Sequence, residues 1–367
     1  MNLNEYFAAH TPKITQEMKA FLEERRAAAR PLSEQLVQSL DVIEEFCLRG
    51  GKMVRSSLVL LGFELAGGMV TPAIYQVSAG VELFHKHILN LDDMADRDDV
   101  RNGGPTVWRT YESLFKDWTD SEHHARTFTE IDGTLMGSFA FEMVRRAAIS
   151  DAQKLAIMDV LNNHMYFETV AGWELHYYQN HQALADAKED EFMKGLDLVT
   201  SRYTFVGPLR IGMILAGKVN SSLEHALVQY GLDVGLAFQI TDDILGIFGD
   251  PVETGKAVGN DVREGKKTLL MQRAYHAGSF IDQNFLAEVC GRELGKGELE
   301  KVQTIIEKTG SLEYSQQLAE QKIKRAVTVL DNVRLETPDT STLSVSSAQS
   351  AKHVLMQLAQ FMVGRKK

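Results

Sequence analysis

Apolar residues recur at steps of three and four through most of the chain, as at Leu58, Leu61 and Leu65, and again at Val77, Val81, Phe84, Ile88 and Leu91. That spacing predicts helices, because residues three and four apart share a helix face. The period-two alternation of a half-buried strand is scarce. Turn chemistry interrupts the pattern at Gly50-Gly51, Gly67-Gly68, Asn102-Gly103-Gly104-Pro105, Gly249-Asp250-Pro251 and Thr337-Pro338-Asp339. No proline lies between Pro105 and Pro208, so helices there keep every backbone donor. The expectation is an all-α protein in which residues 1–367 form a single large helical domain, since no Ser/Gly/Pro-rich linker and no fixed-period repeat divides the chain. The polar tracts Thr337 to Ser350 and Asp117 to Arg126 are expected to be long mobile loops.

Composition then removes several classes of function. At 367 residues and 44% hydrophobic content the chain can bury a large core, and 39 basic against 50 acidic residues give a net charge of −11. That sign argues against a broad contact with nucleic-acid phosphates. The N-terminal segment has no charged start followed by an apolar stretch, and no apolar run is long enough to cross a bilayer, so a cytoplasmic protein without stable membrane insertion is expected. Cys47 and Cys290 can form neither a disulfide framework nor a four-thiolate zinc site, and are expected to be reduced core residues.

The candidate chemistry is acidic. In Asp92-Asp93-Met94-Ala95-Asp96 a helix would set Asp92 and Asp96 one turn apart on one face with Asp93 beside them, an arrangement that repels itself unless a cation intervenes. A solvated acidic face is the alternative for one such segment. A second, Asp242-Asp243 inside the apolar run from Phe238 to Leu245, is harder to read that way, because adjacent unpaired charges are costly to desolvate. Two such pairs suggest two helices presenting carboxylates across a cavity. All-oxygen ligation suits Mg²⁺, which commonly joins one or two carboxylates to substrate phosphates, so a diphosphate ligand is implied. Basic residues then gain meaning near glycine turns and acidic pairs: Lys52, Arg55, Arg101, Lys256, Lys266 and Lys267. A di-iron helical site would need Glu-x-x-His from two helices. Only Glu82-Leu83-Phe84-His85 has that spacing.

In this order the motifs resemble the trans-prenyltransferases, or isoprenyl diphosphate synthases: GGKMVR at Gly50 to Arg55, ELFHKHILNLDDMADRDDVRNGGPTV from Glu82 to Val107, FQITDDILGIFGD from Phe238 to Asp250, and TGKAVGNDVREGKKTLL to Leu270. The resemblance implies the isoprenoid synthase fold, an all-helical bundle around a deep cavity, usually a homodimer, that joins isopentenyl diphosphate to an allylic diphosphate with Mg²⁺. It makes Asp92, Asp93 and Asp96 the first metal motif, and Asp242 and Asp243 the second, with Asp92, Asp96, Asp242 and Lys256 carrying catalysis. Lys52, Arg55, His85 and Arg101 match positions that hold isopentenyl diphosphate. Lys256 and Lys266 match contacts to the allylic diphosphate, and Gln239 matches a polar residue near the reacting carbons. Bridging cations would let the allylic C–O bond ionise, the second substrate's alkene would attack, and the released diphosphate would take the last proton.

The chain departs from the family pattern at four places. Gly246 stands where many members have a third Asp, and Asn102 follows Arg101 where a second arginine is usual. Val199 replaces a lysine, with Thr200 retained and Arg202 one turn away as its substitute. Gly172-Trp173-Glu174-Leu175-His176 loses a carboxylate. These departures leave room for a weakly active or regulatory subunit. A terpene cyclase fits less well, because it needs no second diphosphate site. Product length is expected to be read by Ile88 and His87, four and five residues before Asp92, with Phe84 a turn below. Their size predicts a short product, geranylgeranyl rather than farnesyl diphosphate.

Overall fold

The computed structural model of the chain describes residues 1–250, 258–334 and 342–364, the side chains of 342–346 excepted. Among the described residues the helices are, in chain order, α1 (Leu3–Ala29), α2 (Glu34–Leu48), α3 (Val54–Leu65), α4 (Pro72–Ala95), α5 (Val107–Leu114), α6 (Ser121–Arg146), α7 (Asp151–Asp159), α8 (Glu168–Asn180), α9 (Glu189–Leu196), α10 (Gly207–Leu215) and α11 (Ser222–Phe248), followed by later helices named below by their residues. Two π-helical segments, Val160–Phe167 and Asp197–Val206, precede α8 and α10. Among the described residues the only strands are the antiparallel pair β1 (Val100–Arg101) and β2 (Gly104–Pro105). Asn102 and Gly103, with φ of 51° and 78°, turn that hairpin, as a two-residue loop with left-handed backbone requires. The chain falls into two compact units: Met1–Asp159, Ile211–Gly217 and Thr337–Ala351 make the first, and Val160–Arg210, Lys218–Glu336 and Lys352–Lys367 the second, as far as each is described.

In the first unit, Ser33 starts α2 by accepting hydrogen bonds from the Gln35 and Leu36 N–H groups. Pro72 opens α4 at the position where a missing N–H loses nothing. Helix α4 is buried on most of its surface and packs on α1, α3 and α6. The approach to α6 depends on two glycines, since a Cβ at Gly133 would come within 2.7 Å of Asn90 Nδ2 and one at Gly137 within 3.4 Å of the His87 ring. Trp118 stacks on Phe115 at 4.2 Å and meets His124 edge-on at 5.5 Å. That aromatic cluster lets α6 begin at Ser121, so only residues 117–120 of the expected loop lie outside a helix.

Under this layer Asp132 is fully buried, accepting from Tyr111 Oη at 2.5 Å, and Tyr111 Oη lies 3.1 Å from Ser39 Oγ. Burial pushes the Asp132 carboxyl up to about 7 against an ordinary value near 4. The folded chain therefore holds this proton more tightly than the unfolded chain, and stability should fall as pH rises from about 4 through about 7. Asp132→Asn is expected to remove that slope, so that denaturation at pH 5 and pH 8 gives midpoints closer together than in the wild type. Equal slopes would show that Asp132 ionises without hindrance.

In the second unit a core of Ile247, Val262, Leu270, Met271, Leu286, Val302 and Ile306 joins α11 to the helices Asn260–Arg263, Leu269–Ala277, Phe280–Val289 and Glu298–Lys308. Helix α11 also packs on Ser311–Asp331 and on the π-helical segment Asp197–Val206, where Gly231 admits Val206. The last helix, Thr342–Gly364, overturns the expectation of a loop for Thr342 to Ser350, while residues 337–341 lie outside the described residues. Ser, Thr and Ala are not helix breakers, and Ala348, Ala351, Val354, Leu355, Leu358 and Met362 bury at helical spacing. Cys47 is a core residue, its thiol held up to about 12 by burial, whereas Cys290, also expected in the core, is only partly buried against it.

Candidate active site

Both acidic motifs sit at the carbonyl end of a long helix. Asp92 and Asp93 lie in the last turn of α4, and Asp96 is its C-cap, donating its N–H to the Asp92 carbonyl. Asp242 and Asp243 lie two turns from the end of α11, whose last turn has no basic residue. In the last turn of α4 the partial negative charge of the helix end disfavours carboxylates unless a cation compensates, while in α11 it is burial that disfavours the charge on Asp243.

In the first unit one compensating cation is Arg101. Its Nε lies 2.7 Å from Asp93 Oδ1, its Nη2 bonds the same oxygen, and Nη2 is 3.1 Å from Asp98 and 4.0 Å from Asp92. Burial alone would lower the guanidinium's pKa, but these carboxylates hold it above its ordinary value. Asp93, 1% exposed, is thus bound to Arg101, whereas Asp92 and Asp96 are half-buried and one turn apart. Beside them, Gly50 and Gly51 take φ of 98° and 128°, backbone that a side chain would resist, and Met53 takes 47°. Lys86 Nζ and Asn102 Nδ2 both donate to the Gly50 carbonyl at 3.2 Å and brace this loop, which exposes Lys52. Arg49 Nη1 donates to the Arg101 and Pro105 carbonyls at 2.9 and 2.7 Å, tying the hairpin to the end of α2. Arg55 Nη1 lies 3.0 Å from His85 Nε2. Burial, with Arg55 next, pushes the His85 pKa well below its ordinary value, so the ring is neutral and accepts from the guanidinium.

In the second unit a hydrogen-bond relay sets the acidic pair. Thr200 Oγ1 donates to Gln239 Oε1 at 2.9 Å, which directs Gln239 Nε2 to Asp243 Oδ1 at 3.0 Å. Asp242 is exposed and Asp243 buried. Burial first, then Asp261 and Asp242, push the Asp243 carboxyl well above the usual carboxylate range. Lys266 Nζ lies 3.2 Å from Asp261 and 3.0 Å from Glu264. Lys267 is structural: buried, it donates to the Gly265 carbonyl at 2.8 Å and the Asn180 carbonyl at 3.1 Å. Lys256 lies outside the described residues.

The donor set fits Mg²⁺. The carboxylates are hard oxygen ligands, and Asp243 Oδ2 is buried with no hydrogen bond. Among the described residues no three carboxylate, imidazole or thiol groups stand close enough to hold a metal ion by themselves. A Mg²⁺ here would complete its shell with water and substrate phosphate, its usual habit.

The departures from the resembled pattern have local explanations. Segment Asp197–Val206 is π-helical, and the wider i→i+5 turn aligns residues five apart instead of three or four. Arg202 accordingly pairs with Asp197 at 2.8 Å, and with Glu168 at 3.4 Å, and the one-turn stacking of Val199 and Arg202 does not hold. Val199 packs instead on Gly172. His176 stacks on Phe192 at 5.5 Å over the bare backbone of Gly195, and burial lowers its pKa to about 4. Farther down α4, His87 Nδ1 donates to the Gly133 carbonyl at 2.7 Å, and Phe84 meets His87 and Phe141 edge-on at 5.8 and 6.3 Å. Ile88 and Phe84 are buried beside it. The residues that sequence reasoning missed are Arg49, Lys86 and Phe141. Lys86 adjoins His85 and His87 in the quoted motif, whereas Phe141 comes from α6 and has no signal in the sequence around His87.

A family model described as polyprenyl synthetase matches residues 37–308. The chain is 31% identical over 327 residues to a geranylgeranyl diphosphate synthase of Saccharolobus solfataricus, a match that spans 87% of each chain. It is 30% identical over 287 residues to a geranylfarnesyl diphosphate synthase of Aeropyrum pernix, covering 77% of this chain and 84% of that one. A solved geranylgeranyl pyrophosphate synthase of Corynebacterium glutamicum, complexed with isoprenyl diphosphate and magnesium, matches over 100% of both chains with a TM-score of 0.88 at 26% identity.

Proposed function

Because the chain belongs to the polyprenyl synthetase family and is a trans-prenyltransferase of all-helical isoprenoid synthase fold, we propose that it condenses isopentenyl diphosphate with an allylic diphosphate, uses Mg²⁺, and stops at geranylgeranyl diphosphate. The observation that carries the reading is the placing of Asp92 with Asp96 at the negative end of α4, and of exposed Asp242 with buried Asp243 toward the end of α11. Asp92 and Asp96 in one unit, and Asp242 and Asp243 in the other, would hold Mg²⁺. When bound, Mg²⁺ would offset the charge that builds on a departing diphosphate. Lys52, Arg55 and His85 would hold isopentenyl diphosphate, the neutral His85 ring fixing the Arg55 fork so that it meets a phosphate without rearranging. Arg101 acts chiefly through Asp93, steadying the last turn of α4. Gln239, oriented by Thr200, presents its amide to Asp243 and keeps that carboxyl in place.

For product length, the support is the wall of Ile88, His87 and Phe84 on α4, with the His87 ring pinned to α6, together with relatives named as synthases of geranylgeranyl and geranylfarnesyl diphosphate. Incubating the purified protein with Mg²⁺, isopentenyl diphosphate and each allylic starter, then separating the dephosphorylated products, tests the whole reading. Geranylgeraniol is the expected main product, and His87→Ala should lengthen it by at least one isoprene unit. A wild-type product of medium or long polyprenyl length would sink the assignment of length to this wall, and an unchanged product from His87→Ala would move the floor to Phe84 or another helix.

A further inference from the structure

Gly231, Gly235, Gln239 and Asp243 recur every four residues along α11, so they share one face. The π-helical segment Asp197–Val206 lies along that face in the reverse direction. A Cβ at Gly231 would come within 3.0 Å of Val206 Cγ2, and one at Gly235 within 2.7 Å of Ser201 Cβ. Next along the face, Thr200 donates to Gln239, which donates to Asp243. Two bare glycines thus bring the segment close enough for Thr200 to reach the relay. The register that does so is not α-helical. The Gly207 N–H donates to the Arg202 carbonyl, five residues back. The side chains agree, since Arg202 Nε stands 2.8 Å from Asp197 Oδ2, also five residues back. In an α-helix those two positions point about 140° apart, so it is the wider turn that brings them together. From Arg202 the contacts continue. Its Nη1 lies 3.4 Å from both Glu168 carboxylate oxygens, and Glu168 Oε1 is 3.0 Å from His164 Nδ1. Arg210 Nη1 is 2.9 Å from His164 Nε2; a guanidinium only donates, so that nitrogen accepts and Nδ1–H donates to Glu168. Arg210 Nε donates to Glu224 Oε1 at 3.0 Å, and the same carboxylate accepts the Asn220 N–H just ahead of α11. A chain of alternating charge therefore links the π-helical segment to the start of the helix whose face it must meet.

We propose that Arg202 is a positioning residue: with Asp197 and Glu168 it fixes the π-helical register of Asp197–Val206 and so aims Thr200 at the Gln239–Asp243 relay. The proposal rests on the reading of Asp242 and Asp243 as holders of Mg²⁺ and deepens it by naming what keeps the partners of Asp243 in place. Arg202 itself touches no diphosphate, its fork being committed to two carboxylates. Were the turn to relax to α-helical spacing, one residue would slip and Thr200 would swing by about 100°, away from Gln239. Asp197, Arg202 and Glu168 are all half-buried, so breaking either pair leaves the fold standing and acts on the aim of Thr200.

Steady-state kinetics of the full chain with Mg²⁺ and both diphosphates, beside backbone amide exchange without ligand, test this. Asp197→Asn is the deciding variant, because a carboxylate does not itself bind a diphosphate. Asp197→Asn and Arg202→Ala should each lower turnover at least about tenfold, the scale of losing a residue that orients a metal ligand. Neither should tighten KM for the allylic diphosphate, and both should speed exchange across the π-helical segment. Arg202→Lys should restore part of the turnover, since an ammonium can keep one of the two ion pairs. Thr200→Val keeps the side chain's shape and removes its donor. Arg202→Ala/Thr200→Val should stay within about threefold of the slower single variant, because both changes act through one hydrogen bond. Losses that multiply in the double variant would give Arg202 a role of its own and overturn the proposal. An Asp197→Asn variant that keeps its turnover and binds the allylic diphosphate more tightly would do the same, by showing that a freed Arg202 reaches phosphate. Turnover unchanged in Arg202→Ala, whatever the exchange rates, would reduce the pair to a structural one and also overturn it. A wild type whose turnover ignores Mg²⁺ would overturn the reading of Asp242 and Asp243, and this role with it.

Discussion

Asp92→Ala is expected to lower turnover of the two diphosphates at least about a hundredfold, the scale of losing one electrostatic stabiliser, while leaving the metal-free protein no less stable than the wild type. The two halves have opposite signs for one reason. Asp92 lies in the last turn of α4, where the helix dipole opposes a negative charge, and the Arg101 guanidinium, at 4.0 Å, is committed to Asp93 and Asp98. Removing such an anion is worth about 0.3–1 kcal/mol in favour of the fold. With substrate and Mg²⁺ present the same carboxylate becomes a ligand whose contribution grows as charge develops on the leaving diphosphate, so its loss is felt in turnover. Steady-state kinetics at saturating Mg²⁺, beside thermal melts in chelator, measure both. A variant that keeps near-normal turnover would remove Asp92 from the metal site, and one that loses stability with turnover would make it a structural residue.

The same helix ends show what could be read before any coordinates. The three- and four-residue steps from Val77 to Leu91 place the helix, its buried face and its acidic end, and the structure has α4 running from Pro72 to Ala95. Turn chemistry at Asn102 and Gly103 marked a break but not the hairpin, because two-residue strands are too short to alternate. The tracts from Asp117 to Arg126 and from Thr337 to Ser350 looked like loops from polarity alone. Where described, they are largely helical because Trp118 and the alanines of Thr342–Gly364 find apolar partners, a tertiary effect that local composition does not carry.

At the site the residue types were legible and their partners were not. Asp93 and Arg101 were separate candidates, one for metal and one for phosphate, and the structure pairs them. Arg202 seemed one turn from Val199 because α-helical spacing was assumed. The π-helical segment changes the period, and nothing in DLVTSRYTFV announces that.

Arg101→Ala tests the pairing that sequence could not supply. The substitution leaves the Asp93 carboxylate, 1% exposed, without the guanidinium that bonds it through two nitrogens, and strands part of the charge of Asp98 as well. Breaking one side of a buried ion pair is strongly destabilising, so a loss of about 3–5 kcal/mol in denaturant unfolding is expected. Arg101→Lys should recover only part of it, since a shorter, single ammonium cannot reproduce the paired Nε and Nη2 bonds to Asp93. The second substitution decides between charge and packing. In Arg101→Ala/Asp93→Asn the stranded anion is gone, and more than half of the lost stability should return, whereas use of isopentenyl diphosphate should stay impaired wherever Arg101 itself touches that substrate. If the double variant is as unstable as Arg101→Ala, the arginine holds the hairpin by shape and not by neutralising Asp93. If it recovers both stability and isopentenyl diphosphate use, Arg101 is a support for α4 and the phosphate falls to Lys52 and Arg55.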